Sequence, residues 1–391
     1  MSTFPLPLAP APSSREIGGR LARIRAQMKA ESVEFLVLTS RQNIEYFFDY
    51  QSLSWAYNAR PLFGIIASTK TFVVGSTAER RNIEHRERRF EPIYYSGYLL
   101  EAAGAVVKTI AASDSAARET VAIDYGQDNF GRGSLELVDG LRGRGSRAKV
   151  IAGADLIWRV RMIKSAFEAE LKRLSFGIVN SAFDEAIAEA RLGMTERELQ
   201  RDIQSRIILK GAERADPIAM LFAKGDFVYN HPPTDRRLEP GHYIWTDFRS
   251  TYGGYPADRN RIARAGLPAA WEVACYRKVR TLTVELCRAV RPGMTGGDVY
   301  RRFEELWAQA DLGPVYSLAS RIGHGGGVDV TEPPSISASS EEVLAEGMIL
   351  HLEPKLEKDG AVFQFEEVIF LRQGGVDFLS DLSPESIPIV T

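Results

Sequence analysis

A frame that occurs twice constrains this chain more than any other feature. Gly193-Met194-Thr195 opens a helix, and one hundred residues later Gly293-Met294-Thr295 does the same. In each copy the Thr is a candidate N-cap, with Glu198 or Asp298 three positions on to complete a capping box. Each copy then leads into a strand: Leu238 to Gly241 precedes the run Tyr243 to Asp247, and Leu344 to Gly347 precedes Ile349 to Glu353. In both, an acidic residue lies six positions after the glycine, inside an otherwise apolar strand. A second one follows at a similar distance: Asp258, eleven after Asp247, and Glu366, thirteen after Glu353. The repetition predicts two similar half-domains related by approximate two-fold symmetry, with four carboxylates brought to one centre.

Carboxylates in apolar strands are costly unless they are paired or bind a cation. His324, in Gly323-His324-Gly325-Gly326-Gly327, adds a nitrogen donor in a segment whose small neighbours let a ligand approach the backbone. The chain has 5 His and 2 Cys, Cys275 and Cys287, too few for a disulfide scaffold or a thiolate zinc cluster, so any metal centre must be carboxylate-rich. One His and four carboxylates supply about as many donors as two adjacent divalent cations need. Hard oxygen ligands point to manganese, iron, cobalt or zinc, with manganese favoured. The balance of 49 Lys+Arg against 51 Asp+Glu excludes a broadly basic nucleic-acid binder.

The rest of the chain reads as α/β. Ser13-Ser14 and Glu16 can cap a helix carrying Ile17, Leu21, Ile24 and Met28, and a β-rich run Val33 to Leu38 follows. Leu62 to Ser68 and Thr71 to Gly75 read as strands around a turn at Thr69-Lys70, and Thr120 to Asp124 as another. Ser165 and Glu168 form a capping box before a helical pattern that runs to about Ala190. The expected organisation is an extended Pro-rich arm over 1–12, an α/β domain over 13–162 and a second domain over 163–391. The arm lacks the form of a signal peptide and no apolar run approaches a membrane span, so a cytoplasmic location with no membrane partner is expected.

The ordered set Asp247, Asp258, Gly-His324-Gly, Glu353-Pro354 and Glu366 resembles the pita-bread family of methionine aminopeptidase, aminopeptidase P, prolidase and creatinase. Residues 20–50 resemble the N-terminal domain of its creatinase and prolidase branches. The resemblance implies an α+β pita-bread catalytic domain behind a smaller α/β domain, and a homodimer. It implies Asp247 as terminal ligand of one metal, Asp258 and Glu366 as the bridging pair, and His324 and Glu353 as ligands of the second metal. Glu353 is then also the general base, and Glu367 competes with Glu366 for the last bridging role. His231, in Asn230-His231-Pro232-Pro233, resembles the family's upstream active-site His, which contacts substrate. Arg261 resembles an arginine that supports the ligands. His85, His242 and His351 have no motif support and are read as solvated or packed.

Two departures bear on the reaction. The family's peptidases usually carry a second His seven residues after the Gly-His ligand, and Thr331 stands there; an Arg two residues before the last ligand is Gln364 here. Thr331 can donate a hydrogen bond to substrate but cannot titrate near neutral pH. The run Trp55 to Pro61 resembles a creatinase segment whose arginine reaches into the partner's site, which gives Arg60 a carboxylate-binding role. The leading expectation is a dinuclear metal hydrolase that cleaves a C–N bond of a small carboxylate-bearing substrate, with Xaa-Pro dipeptides first. A creatinase-related hydrolase or lyase of a non-peptide nitrogenous or osmolyte-like compound is the alternative, and a non-catalytic binding protein the third reading.

Overall fold

Local capping starts the helices where the sequence places polar residues before apolar periodicity. The structure, a computed structural model, describes residues 4–56, 59–85, 89–112, 120–126, 129–130, 134–143, 149–315 and 320–391. The chain separates into two units, Ala11–Arg161 and Met162–Thr391 with Met1–Pro10. Among the described residues no helix is long and apolar enough to cross a membrane.

The Ala11–Arg161 unit is built on a mixed sheet. Its strands run in the order Glu91–Tyr95, Thr71–Ser76, Phe63–Ala67, Phe35–Leu38, Thr120–Ile123 and Lys149–Ala152. Phe63–Ala67 is antiparallel to both its neighbours, while Phe35–Leu38, Thr120–Ile123 and Lys149–Ala152 are mutually parallel. Phe35, Val37, Phe63, Ile65 and Val121 pack under Val106 and Ile110 of the helix Leu99–Ala111. The first helix, Ser14–Ala30, is capped by the Ser13 side chain and buries Ile17, Leu21, Ile24 and Met28.

The larger unit repeats one local architecture. The helices Glu196–Leu209 and Gly296–Ala310 start at Thr195 and Thr295, and in each the acidic residue three positions on closes a capping box. Gly193 N–H donates to Leu238 O at 2.8 Å and Gly293 N–H to Leu344 O at 2.8 Å; Leu238 N–H returns to Met194 O and Leu344 N–H to Met294 O. Downstream, Gly241 N–H donates to Ala265 O and Gly347 N–H to Leu371 O. The repeated sequence frame is therefore a repeated hydrogen-bond frame, as two similar half-domains require.

Each half contributes a sheet. In the first, Ala219–Ala223, Tyr243–Tyr252, Tyr255–Ala265 and Ile389–Val390 lie side by side, with Arg214–Ala215 on the Tyr243–Tyr252 strand. In the second the order is Glu332–Ile336, Gly323–Gly325, Ile349–Leu352, Glu367–Arg372 and Gly375–Phe378. The helix Ala166–Glu189 covers the core through Phe176, Val179 and Phe183, which meet Phe248, Ile349 and Val368. Residues of the Pro-rich arm belong to this unit. Leu6 N–H donates to Lys210 O at 2.9 Å and the Tyr252 hydroxyl to Pro7 O at 3.0 Å.

Candidate metal centre and its cavity

A tight hairpin sets the first pair of carboxylates. Gly253 and Gly254 both take positive φ, 61° and 77°, as a two-residue loop between antiparallel strands demands. Counting out from that loop fixes the register: Arg249 stands across from Asp258, and Asp247 across from Asn260. Strand alternation then aligns Trp245, Asp247 and Arg249 on one face.

The second half supplies His324, Glu353 and Glu366. A Cβ at Gly323 would collide with the His351 carbonyl oxygen, and one at Gly325 with that of Pro333. The flanking strands close on the His324 strand so tightly that only glycine fits on either side of the histidine. Gly325→Ala is therefore expected to displace the His324 strand at a cost of roughly 1–3 kcal/mol; thermal denaturation checks it, and an unchanged Tm sinks it.

The assembled centre is buried. Asp258, His324, His351 and Glu366 each offer a donor atom within 4.8 Å of the others. His324 Nε2 lies 3.7 Å from Asp258 Oδ2 and 3.7 Å from Glu353 Oε1. Asp247 is buried, and its Oδ1 has no hydrogen-bond partner among the described residues. Burial, then the neighbouring Asp258 carboxylate, raises the pKa of Asp247 and Glu366 well above the usual carboxylate range and pushes Glu353 to about 7. The His324 pKa is lowered to about 4, chiefly by burial, so its ring is neutral at ordinary pH. His324 Nδ1 is 2.8 Å from Gly325 O, which can only accept, so the proton sits on Nδ1. The Nε2 lone pair consequently faces an oxygen of Asp258 and one of Glu353. Lone pairs and anions converging in a buried space are what a divalent cation relieves, and donors this far apart can both lie about 2.0–2.2 Å from one ion.

Hydrogen bonds orient the donors. Gln364 Nε2 donates to Glu353 Oε2 at 3.2 Å, and Trp245 Nε1 holds Gln364 Oε1 at 2.9 Å. Asn260 N–H donates to Glu366 Oε2 at 2.7 Å. The alternative acidic residue, Glu367, turns the other way. Its carboxylate takes Arg259 Nη2 at 3.1 Å and the Ser383 N–H at 2.8 Å, so of the two neighbours it is Glu366 that joins the centre. Arg261 reaches the carbonyl oxygens of Asn260, Glu366 and Asp381, a supporting position behind the Glu366 strand.

His231 opens onto the centre. A cavity of about 330 Å³ is lined by His231, Asn230, Gln200, Asp247 and Arg249 among others. His231 Nε2 is 3.7 Å from Glu196 Oε2, and Glu196 itself accepts from the N–H groups of Phe222 and Thr234 at 2.8 Å each. Thr331 and Arg60 are not in this group. Thr331 is exposed at the bend before Glu332–Ile336, and no hydrogen bond ties it to the carboxylates among the described residues. Arg60 is exposed on the Ala11–Arg161 unit, and Tyr57 and Asn58 of its aromatic run lie outside the described residues.

Three residues in or beside the centre were not singled out from the sequence. His351, read as solvated or packed, is fully buried; its Nδ1 is 2.6 Å from Glu366 Oε1 and its ring stacks on His324 at 4.8 Å. Its signal was the two-residue spacing to Glu353, which puts both on one strand face. Arg249, whose Nε is 2.9 Å from Asp258 Oδ1, could have been found by counting out from Gly253-Gly254. Glu196 carries no such signal, because an acidic residue opening a helix is ordinary.

A repeated α+β unit that closes strands around a buried carboxylate and histidine centre defines the pita-bread class. The chain belongs to metallopeptidase family M24, whose model matches residues 171–376, just over half of it; the creatinase/prolidase N-terminal domain model matches residues 20–163. The chain is 28% identical over 234 residues to a Xaa-Pro dipeptidase of Pyrococcus furiosus, an alignment spanning 59% of this chain and 66% of that protein. It is 25% identical over 241 residues to a probable dipeptidase, PepE, of Mycobacterium tuberculosis, covering 61% and 64% of the two. The chain thus aligns with slightly less than two thirds of the length of these relatives. Among solved structures, a Xaa-Pro dipeptidase from Bacillus anthracis superposes with a TM-score of 0.82 at 17% identity, over 96% of this chain and all of that one. A prolidase from Pyrococcus furiosus gives 0.77 at 20% identity, over 92% and 100%.

Proposed function

We propose that this chain is a divalent-metal-dependent hydrolase that cleaves the C–N bond of a small carboxylate-bearing substrate, with Xaa-Pro dipeptides as the first substrates. The observation that carries the proposal is the neutral His324 Nε2 set 3.7 Å from both Asp258 Oδ2 and Glu353 Oε1, an arrangement that calls for a cation. His324, Glu353, Asp258 and Glu366 would hold the ion, manganese in the favoured case, and Asp247 is the donor a second ion would need. A bound divalent ion supplies a Lewis acid for the scissile carbonyl and lowers the pKa of a water.

The chain's own groups account for the rest. Glu353, with one oxygen held by Gln364, is placed to take a proton from the attacking water and pass it to the leaving nitrogen. His231, on the cavity wall beside Glu196, is placed to hydrogen-bond the substrate carbonyl. A homodimer in which Arg60 binds the substrate carboxylate is the finer form of this proposal.

One observation favours a second reading, a creatinase-related enzyme acting on a non-peptide compound. Where peptidases of the family usually place an arginine, Gln364 is locked between Trp245 and Glu353 and carries no charge to a peptide carboxylate. Turnover of Xaa-Pro dipeptides against creatine-like and betaine-like compounds, with Mn²⁺ and with chelator, separates the two. The expected result is dipeptide hydrolysis that chelator abolishes and Mn²⁺ restores. Absence of dipeptide turnover with metal restored would give the lead to the second reading.

A further inference from the structure

The hairpin that carries Asp247 and Asp258 also carries a fixed cation. Arg249 follows Asp247 by two residues, so both side chains leave the same face of the strand, and it stands directly across from Asp258. Its Nε is 2.9 Å from Asp258 Oδ1, its side chain is 34% exposed, and it lines the same cavity as Asp247 and His231. The guanidinium of an arginine keeps its charge throughout the ordinary pH range.

Asp258 is thereby divided between two neighbours. Oδ1 faces the guanidinium, and Oδ2 faces His324 Nε2 at 3.7 Å. The His324 side offers His324 Nε2, Asp258 Oδ2 and Glu353 Oε1, which meet at 3.7 Å. The Arg249 side offers Asp247 and the Asp258 oxygen that Arg249 already occupies. Charge points the same way. Asp247, Asp258, Glu353 and Glu366 bring four negative charges when ionised. Behind them Lys172 is fully buried, its Nζ 2.6 Å from Pro256 O, and its charge acts on Glu332 first and then on Asp258 and Glu366. With the Arg249 guanidinium fixed 2.9 Å from Asp258 Oδ1, a divalent ion on the Asp247 side would meet a like charge at short range, which is costly.

We propose that Arg249 is a tethered cation standing where a second metal ion would bind, so that the centre takes one divalent ion, on the His324–Glu353 side. This rests on the metal-dependent reading above and fixes how many ions that reading uses. A side chain on the cavity wall that replaces an ion also changes what the substrate meets there: a planar set of N–H donors with fixed geometry instead of an exchangeable ligand position.

The test is stoichiometry. The purified chain, its Arg249→Ala variant and its Arg249→Lys variant are stripped with chelator, equilibrated with Mn²⁺ and freed of unbound ion. Manganese per chain is then measured by mass spectrometry and the spin state by electron paramagnetic resonance. The wild type and Arg249→Lys are expected to hold one Mn²⁺ with the hyperfine sextet of an isolated ion. Arg249→Ala is expected to hold two, with the broadened signal of a spin-coupled pair. Two ions in the wild type overturn the inference while leaving the metal-dependent reading intact, and so does a single ion in Arg249→Ala. No ion in any of the three proteins overturns that reading itself and the inference with it.

Discussion

Asp258→Asn is expected to lower metal-dependent turnover by on the order of 10³-fold, about 4 kcal/mol of transition-state stabilisation, and to lose tightly held Mn²⁺. Asp258 is the carboxylate on which the centre turns: Arg249 takes one of its oxygens at 2.9 Å and His324 faces the other at 3.7 Å. Asn keeps the shape and one acceptor but removes the charge, so the ion loses an anionic donor and Arg249 loses its principal counter-ion. The exchange should spare the fold, because the hairpin register is set by backbone bonds and the Gly253-Gly254 loop rather than by this side chain. Turnover, bound metal and circular dichroism measured on one preparation decide the matter. A folded variant with full activity would remove Asp258 from the centre.

How far the centre was legible in the sequence follows from how local each signal is. The caps at Thr195 and Thr295 and the glycine turns before the strands depend on a few adjacent residues, so their repetition is visible in one dimension and survives in the fold. The four carboxylates are legible for a related reason, since acidic residues inside apolar strands stand out against their surroundings. Choosing Glu366 over Glu367 needed a family pattern, because adjacent acids in a strand are equivalent until the sheet fixes which face each occupies. The structure separates them by giving Glu367 to Arg259 and Ser383.

The residues missed are those whose meaning is set across strands. His351 looks like any histidine in an apolar run until its strand is aligned with the His324 strand, where the two are direct cross-strand partners. Arg249 looks like a surface arginine until the hairpin pairs it with Asp258. Glu196 is the extreme case, because its oxygens are fixed by Phe222 and Thr234, both more than twenty residues away. Pairing register and loop closure are non-local properties, and motif reading captures them only where a short turn such as Gly253-Gly254 makes them countable.

The crowding of anions at the centre should also be visible in stability. Asp247, Glu353 and Glu366 have folded-state pKa values above their unfolded ones, with burial the main cause and Asp258 the next. A carboxyl group of this kind contributes stability that is fully present below its unfolded pKa and is lost as pH rises through the folded value, about 7 for Glu353. Chelated protein is therefore expected to lose stability between about pH 6.5 and about pH 8, to which Glu353 adds the last part of its shift, on the order of 1 kcal/mol, the larger part having been lost between about pH 4.5 and about pH 6.5. Other groups act mainly at the edges of that window or outside it. Carboxylates with lowered pKa, such as Glu272 and Glu79, lose their contribution only in acid. His324 and His351 are held neutral in the fold, so they oppose the loss weakly at the lower end, until the unfolded chain's histidines have deprotonated by about pH 7.5. Lys172 and Lys355, lowered to about 8, act in the opposite sense above that pH. A divalent ion binds the ionised carboxylates and displaces their protons, so its stabilisation should grow across the same interval. Thermal denaturation with chelator is expected to give a lower Tm at the upper pH, and added Mn²⁺ to raise Tm more there than at the lower pH. A chelated Tm that stays level or rises with pH would show that these carboxylates are not forced together in the fold. A Mn²⁺ effect independent of pH would show that the ion binds elsewhere.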